Sequence, residues 1–284
     1  VGVAELVGAE GLAGDLHFSV SMVGAPEQAY RDYVKGEPKS LSKLVKKSTG
    51  EKSFGKGLRA MGANPKHPVL LIPGVGGTRL NVWNSEERPE WNGEMIFFDF
   101  TKVDYTRKRD ISRKDFSNPN QGPEENTALR ERECLQICAK RSPGIKHLWT
   151  DELGRDWPTI TTRAEPGLKG VYTMSNFWEE GFKDTIDVLW GIGFTPDTLE
   201  GMGYDFRIAA PVMEDRDGYL STMKLTIERM VRRTGEKAVL VPHSMGTRVV
   251  QYFLNWLDDE AWIETYLHGI VSLGGIWRGS PSGA

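Results

Sequence analysis

The segment Pro242-His243-Ser244-Met245-Gly246 places a serine between small residues. It directly follows the apolar run Ala238-Val239-Leu240-Val241 and directly precedes a stretch in which Val249, Val250, Phe253 and Leu254 recur at helical spacing. A serine hydroxyl is a weak nucleophile in water. To accept an acyl group it must be exposed, near a base, and near donors for the oxyanion that forms on attack. A sharp strand–turn–helix junction supplies the exposure, and it sets the N–H of the next residue, Met245, beside that oxyanion. Pro242 stands where the general pattern has a small residue, usually glycine. An earlier apolar run, Val69-Leu70-Leu71-Ile72, opens into Pro73-Gly74-Val75-Gly76-Gly77. Val75 would give a second oxyanion N–H, and Gly74 and Gly76 would let backbone approach a substrate closely. The blander alternatives are a helix N-cap serine and an ordinary glycine turn.

The surrounding elements must hold these two loops at one end of a sheet. The runs 69–72 and 238–241 read as buried parallel strands, because both faces are apolar. Gly269-Ile270-Val271-Ser272-Leu273 reads as another. Trp178, Phe182, Ile186 and Leu189 mark a helix with Ser175 or Asn176 as N-cap. Leu220, Met223, Ile227 and Met230 mark a second helix, stopped by Gly235. Gly203 to Ala209 reads as the end of a strand, and a helix is expected from Asn126 to about Lys140. Strands alternating with helices imply a mostly parallel sheet with flanking helices. The expected fold class is α/β, of α/β-hydrolase type, carrying an irregular N-terminal arm.

The chain has 284 residues, 39 % hydrophobic and 26 % charged, which suits a globular α/β protein with a full core. A net charge of −3 gives no overall basic character, so no nucleic-acid partner is expected. The charge is uneven, however. Residues 31–60 hold nine Lys or Arg against Asp32, Glu37 and Glu51. This basic arm could touch anionic lipid or an acidic partner, or be a solvated extension. The expected division is a basic extension over 1–66 and a hydrolase-like domain over 67–284, with a long cap- or lid-type insertion at 84–148. Cys134 and Cys138, four apart on the expected helix, read as reduced thiols. The five histidines show no ligand spacing, and neither a metal nor a cofactor is expected.

Several segments together resemble the lecithin:cholesterol acyltransferase family, which includes phospholipid:diacylglycerol acyltransferases and lysosomal phospholipases. His67 to Leu80 is similar to the family's opening strand and oxyanion loop. Gly203-Tyr204-Asp205-Phe206-Arg207 resembles its Gly-Tyr-Asp-Trp-Arg, with Phe206 for Trp. Val239 to Gly246 looks like the phospholipid:diacylglycerol acyltransferase elbow, and Ser272 to Ser280 resembles the strand and loop after it, with Gly275-Ile276 where Ala-Pro is common. The resemblance implies acyl transfer on lipids. Ser244 would take a fatty acyl group from a phospholipid, the N–H groups of Val75 and Met245 would hold the oxyanion, and water or an alcohol such as a sterol or diacylglycerol would accept the acyl group. Trp149 stands where a lid-region tryptophan would line the substrate. The implied surroundings are a phospholipid or neutral lipid substrate and a membrane surface. The chain starts with Val1 and not Met, so it reads either as a mature form, membrane-peripheral in an organelle after removal of a targeting peptide, or as a fragment.

In this fold the acid and then the histidine follow the serine along the chain. After Ser244 come Asp258, Asp259, Glu260, Glu264 and His268, none of them placed after the strands that should carry the triad. Two expectations follow. One is an enzyme whose acid and base lie downstream of a chain cut after the strand following the elbow. The other is a non-catalytic accessory subunit in which a protein partner covers the exposed sheet edge.

Overall fold

The structure, a computed structural model, describes residues 4–7, 39–97, 99, 102, 143–173 and 181–279. The expected helix 126–140 with Cys134 and Cys138, the N-cap at 175 or 176, Trp178 and most of the 84–148 insertion lie outside the described residues. In chain order the elements begin with β1 (Ala4–Val7), α1 (Lys39–Thr49), α2 (Phe54–Ala60), β2 (Val69–Ile72) and β3 (Leu80–Ser85). There follow α3 (Pro143–Leu148), β4 (Ile160–Ala164), α4 (Gly167–Tyr172), α5 (Lys183–Ile192) and β5 (Leu199–Gly201). The last are α6 (Ala210–Asp217), α7 (Tyr219–Thr234), β6 (Ala238–Pro242), α8 (Gly246–Leu257), α9 (Glu260–Tyr266) and β7 (Leu267–Leu273).

Five strands form one sheet in the order β1-β7-β6-β2-β5, in which β7, β6, β2 and β5 run parallel and β1 pairs antiparallel with β7. The two central strands are buried at every position. Alternation of side chains along a strand splits them between two cores. Leu70, Ile72 and Leu240 face α7, α8 and α9 through Met223, Ile227, Phe253 and Trp262. Val69, Leu71, Val239 and Val241 face α4 and α5 through Val171, Phe182 and Ile186. This is the parallel α/β sheet with helices on both faces that the apolar runs imply.

Local signals explain most boundaries. Gly218 and Gly235 bracket α7 with φ of 60° and 73°, in the left-handed region that glycine adopts without strain. The Glu214 carboxylate accepts from the N–H groups of Leu220 (2.7 Å) and Ser221 (3.0 Å), closing the exposed start of α7. Asp259 caps α9 by accepting from Trp262 N–H at 2.9 Å.

Three expectations change. First, α5 begins at Lys183, with Phe182 as its N-cap; the helical spacing of Phe182 reflects packing against the sheet rather than membership of the helix. Second, residues 203–209 are not strand. The chain leaves β5 at Gly201 and turns so that Tyr204 and Asp205 are buried for their hydrogen bonds. Third, the basic arm is structured where described, with α1 and α2 packed together and α2 laid on α5, while Ala4–Val7 joins the sheet. The edge of β7 that was left for a partner to cover is paired along Ile270–Leu273 by β1.

A two-stranded antiparallel ribbon, β3 with β4, stands beside the sheet. A buried ion network ties it down. Asp205, with no exposed side-chain surface, accepts from Arg207 Nη2 at 2.6 Å and Arg216 Nη2 at 2.7 Å. Arg207 continues to the Thr162 carbonyl at 2.9 Å, to the His147 carbonyl at 3.3 Å and to Asp156 at 3.3 Å. Burial pushes the Asp205 carboxyl up, but the two guanidinium groups outweigh it and hold it below the usual carboxylate range.

A carboxylate whose folded pKa is depressed adds stability above its unfolded pKa and loses it as pH falls through the folded value. Asp205→Asn should therefore destabilise the protein at pH 7 by about 3–5 kcal/mol, since two buried guanidinium groups lose their partner. The gap between variant and wild type should narrow on acidification below about pH 4. Urea unfolding of both proteins at neutral and acid pH measures this, and a gap that widens in acid contradicts it.

Candidate active site

Strand β6 ends at Pro242, and the chain must then reverse into α8. It does so through Ser244, which takes φ of 49°. Left-handed backbone at a residue with a Cβ costs about 1–3 kcal/mol and persists only where surrounding bonds enforce it. Here they do. His243 N–H donates to the Ile72 carbonyl at 2.9 Å, and Ser244 N–H donates to the Leu273 carbonyl at 3.0 Å. The Ser244 carbonyl accepts from Thr247 N–H at 3.1 Å and from the Thr247 hydroxyl at 2.7 Å. The strained turn is therefore anchored on β2, on β7 and on the first turn of its own helix.

Two glycines make this crossing sterically possible. A methyl group on Gly246 would stand 2.6 Å from the Ile72 carbonyl oxygen and 2.7 Å from that of Pro73, both main chain. A methyl group on Gly74 would stand 3.0 Å from Ser244 Cβ and 3.0 Å from His243 Nδ1. The glycine loop thus backs directly onto the elbow. Gly77 N–H donates to the Gly74 carbonyl at 3.0 Å, with Gly76 at φ of 72°, so residues 74–77 form a tight turn with Val75 at its outer corner. Val75 is 60 % exposed. Neither the N–H of Val75 nor that of Met245 has a hydrogen-bond partner among the described residues. Both are available to an oxygen arriving at Ser244.

The structure brings Ser244, Met245, Gly74, Val75 and Gly76 together at the carboxyl end of the sheet. Trp149 is placed otherwise. It follows α3 in the ribbon layer, where its ring meets Trp157 edge-on at 5.8 Å. His268 begins β7 at the opposite end of the strands and stacks on His67 at 3.9 Å, so it is no base for Ser244. His243 lies edge-on to Phe182 at 6.3 Å, and desolvation of its ring lowers its pKa. The Ser244 hydroxyl has no hydrogen-bond partner among the described residues.

Sequence reading missed two supports. Tyr204, 1 % exposed, donates its hydroxyl to the Pro73 carbonyl at 2.9 Å, while its N–H donates to Thr78 Oγ1 at 3.1 Å. It holds the glycine loop from both ends. Thr247 holds the elbow carbonyl and also accepts from Ile276 N–H at 3.0 Å, joining the loop after β7 to the elbow helix. Tyr204 was noticed only within a motif, and Thr247 carried no signal, because a hydroxyl that bridges loops looks like any polar residue in sequence. A separate cavity of about 690 Å³ lies along the outer edge of β5, lined by Trp83, Tyr204, Met213 and Tyr219. It does not include Ser244, and its charges Arg163, Arg216 and Arg229 are paired with neighbouring carboxylates.

Residues 146–283 match the sequence model of the family described as lecithin:cholesterol acyltransferase. The chain is 27 % identical over 235 residues to the phospholipid:diacylglycerol acyltransferase of Saccharomyces cerevisiae, covering 79 % of this chain and 31 % of that one. It is 27 % identical over 232 residues to the phospholipid–sterol O-acyltransferase of Arabidopsis thaliana, covering 74 % and 31 %. A stretch of 99 residues is 34 % identical to the lysosomal phospholipase A and acyltransferase of Mus musculus, covering 34 % and 23 %. The chain spans about a third of the length of the two acyltransferases and less of the third protein.

Substitutions at Gly246 and Thr247 test how the elbow is held. Gly246→Ala should cost about 1–3 kcal/mol, because main-chain carbonyls must move. Gly269→Ala, on β7 with nothing within 4 Å of the added methyl, is the tolerated control. Thermal melts should separate the two by several degrees, at roughly 2–4 °C per kcal/mol. Thr247→Val should cost about 1–3 kcal/mol by leaving the half-buried Ile276 N–H and the Ser244 carbonyl without the hydroxyl, and Thr247→Ser should restore most of it. Equal losses for Val and Ser would show that the hydroxyl is not what matters.

Proposed function

We propose, for a chain whose residues 146–283 belong to the lecithin:cholesterol acyltransferase family, that it carries the acyl-accepting centre of a phospholipid-dependent acyl transfer. The observation that supports this most is the left-handed Ser244 held between two unengaged N–H groups. In this reading Oγ of the half-exposed Ser244 faces the substrate, and the N–H groups of Val75 and Met245 would hold the ester oxygen as it gains charge.

In the proposed reaction, Ser244 Oγ attacks the carbonyl carbon of a phospholipid fatty ester while its proton passes to a base. The carbonyl oxygen becomes an oxyanion held by the two N–H groups. The ester C–O bond breaks, the departing alcohol of the lysophospholipid takes up the proton, and the acyl group stays on Ser244. An alcohol or water then attacks the acyl-serine and loses its proton to the same base, which returns that proton to Ser244 Oγ as the acyl–Oγ bond breaks. The relatives are named for diacylglycerol and sterol as well as phospholipid, and these are the proposed acceptors. The base and its orienting acid are proposed to come from outside the described residues. An unactivated serine is a poor nucleophile, so Ser244 depends on them for its rate.

A fluorophosphonate probe tests the assignment. The full-length protein should be labelled on Ser244, found by peptide mass spectrometry, and Ser244→Ala should abolish labelling without changing the thermal melt. Folded full-length protein that takes no label would refute the enzyme reading and favour an accessory role for the hydrolase fold.

A further inference from the structure

Residues 39–60 contain seven Lys or Arg against one acid, Glu51, in a chain whose net charge is −3. In the structure they form α1 and α2, and the pair is fixed to the fold. A methyl group on Gly55 would stand 2.2 Å from the Val188 carbonyl oxygen and 2.9 Å from Gly191 Cα, so α2 meets α5 backbone to backbone. Val45 of α1 is buried against Gly57 of α2. Lys43, Lys46, Lys47, Lys52, Lys56 and Arg59 are all exposed. Elsewhere many cations are paired, as Lys102, Lys146, Arg163 and Arg233 are with nearby carboxylates, and those without an ion pair among the described residues, such as Lys66, Arg232 and Lys237, are scattered and not gathered in one run. None of these six, of which Lys52 lies between the two helices, has an ion-pair partner among the described residues. The helix dipole accounts for Lys46 and Lys47 in the last turn of α1 and Arg59 in that of α2, but not for Lys43, Lys52 or Lys56.

We propose that α1 and α2 form a preorganised docking surface for an anionic lipid membrane. The chemistry favours this partner over an acidic protein. Lysine is a compact, strongly hydrated point charge, depleted from protein–protein interfaces. Clusters of four to eight basic residues on an amphipathic helix suit a delocalised layer of anionic headgroups. The position also fits. Phe182, at the start of α5, is 6.3 Å from His243 at the elbow. Gly191, where α2 docks, lies nine residues further, about 14 Å along the helix. Helix α5 thus links the docked pair to the elbow. This inference does not depend on acyl transfer.

Cosedimentation of the full chain tests it, with vesicles of phosphatidylcholine alone or with about 30 % phosphatidylserine, at low and high salt. The protein should bind the serine-containing vesicles at least about tenfold more tightly, and salt should weaken that binding. The triple variant Lys43→Glu, Lys47→Glu, Lys56→Glu should lose at least about tenfold, and the same three changed to Gln should lose less while melting as the wild type does. Equal binding to both vesicles, or no effect of either folded variant, overturns the proposal. So does binding to heparin or RNA without binding to the anionic vesicles. Fluorophosphonate labelling of Ser244 is read separately, so failure of one reading leaves the other standing.

Discussion

A serine cannot stand clear of a parallel sheet unless the chain bends through a conformation that serine resists. Most of what surrounds Ser244 enforces that bend. Strand β2 supplies the Ile72 carbonyl that fixes His243, and β7 supplies the Leu273 carbonyl that fixes Ser244 itself. Gly246 lies so close beneath β2 that no side chain fits between. The order of strands, with β6 between β2 and β7, puts both anchors within reach of one turn. Sheet topology and site geometry are thus one constraint at two scales.

The parts legible in sequence were those specified by local physics. Strands β2, β6 and β7 announce themselves because burial on both faces leaves continuous apolar runs. Helices α7 and α8 announce themselves through one apolar stripe each and, for α7, a closing glycine. The elbow was readable because glycine and serine sit at fixed offsets between two such elements. What stayed hidden depends on partners distant in the chain. The β3–β4 ribbon joins Leu80 to Ala164, and neither strand alone is apolar enough to declare itself. Asp205 reads as a surface residue until Arg207 and Arg216 close around it. Lysines dominate the composition of α1 and α2, so their one buried seam at Val45, Gly55 and Gly57 was not visible.

The hydroxyls of Tyr204 and Thr247 show a related point. Each is on a buried residue and ties one loop to another: Tyr204 donates to the Pro73 carbonyl, while Thr247 donates to the Ser244 carbonyl and accepts from Ile276 N–H. Burial raises the Tyr204 phenol well above its ordinary value, so it stays a neutral donor. Such residues shape a site without touching what reacts in it, and sequence patterns built on reacting groups pass over them.

The pairing of β1 with β7 has a consequence for how the molecule assembles. Ala4 lies opposite Leu273, so almost the whole described chain separates the two strands. Closing so long a loop carries an entropy cost that no local contact offsets. Strands β2, β6 and β7, with the helices packed on them, can form from contacts much nearer in sequence. During synthesis Ala4–Val7 is made long before Ile270–Leu273 and finds its partner strand only after that segment has emerged. Until the two strands meet, the edge of β7, next to the Leu273 carbonyl that steadies Ser244, stands open.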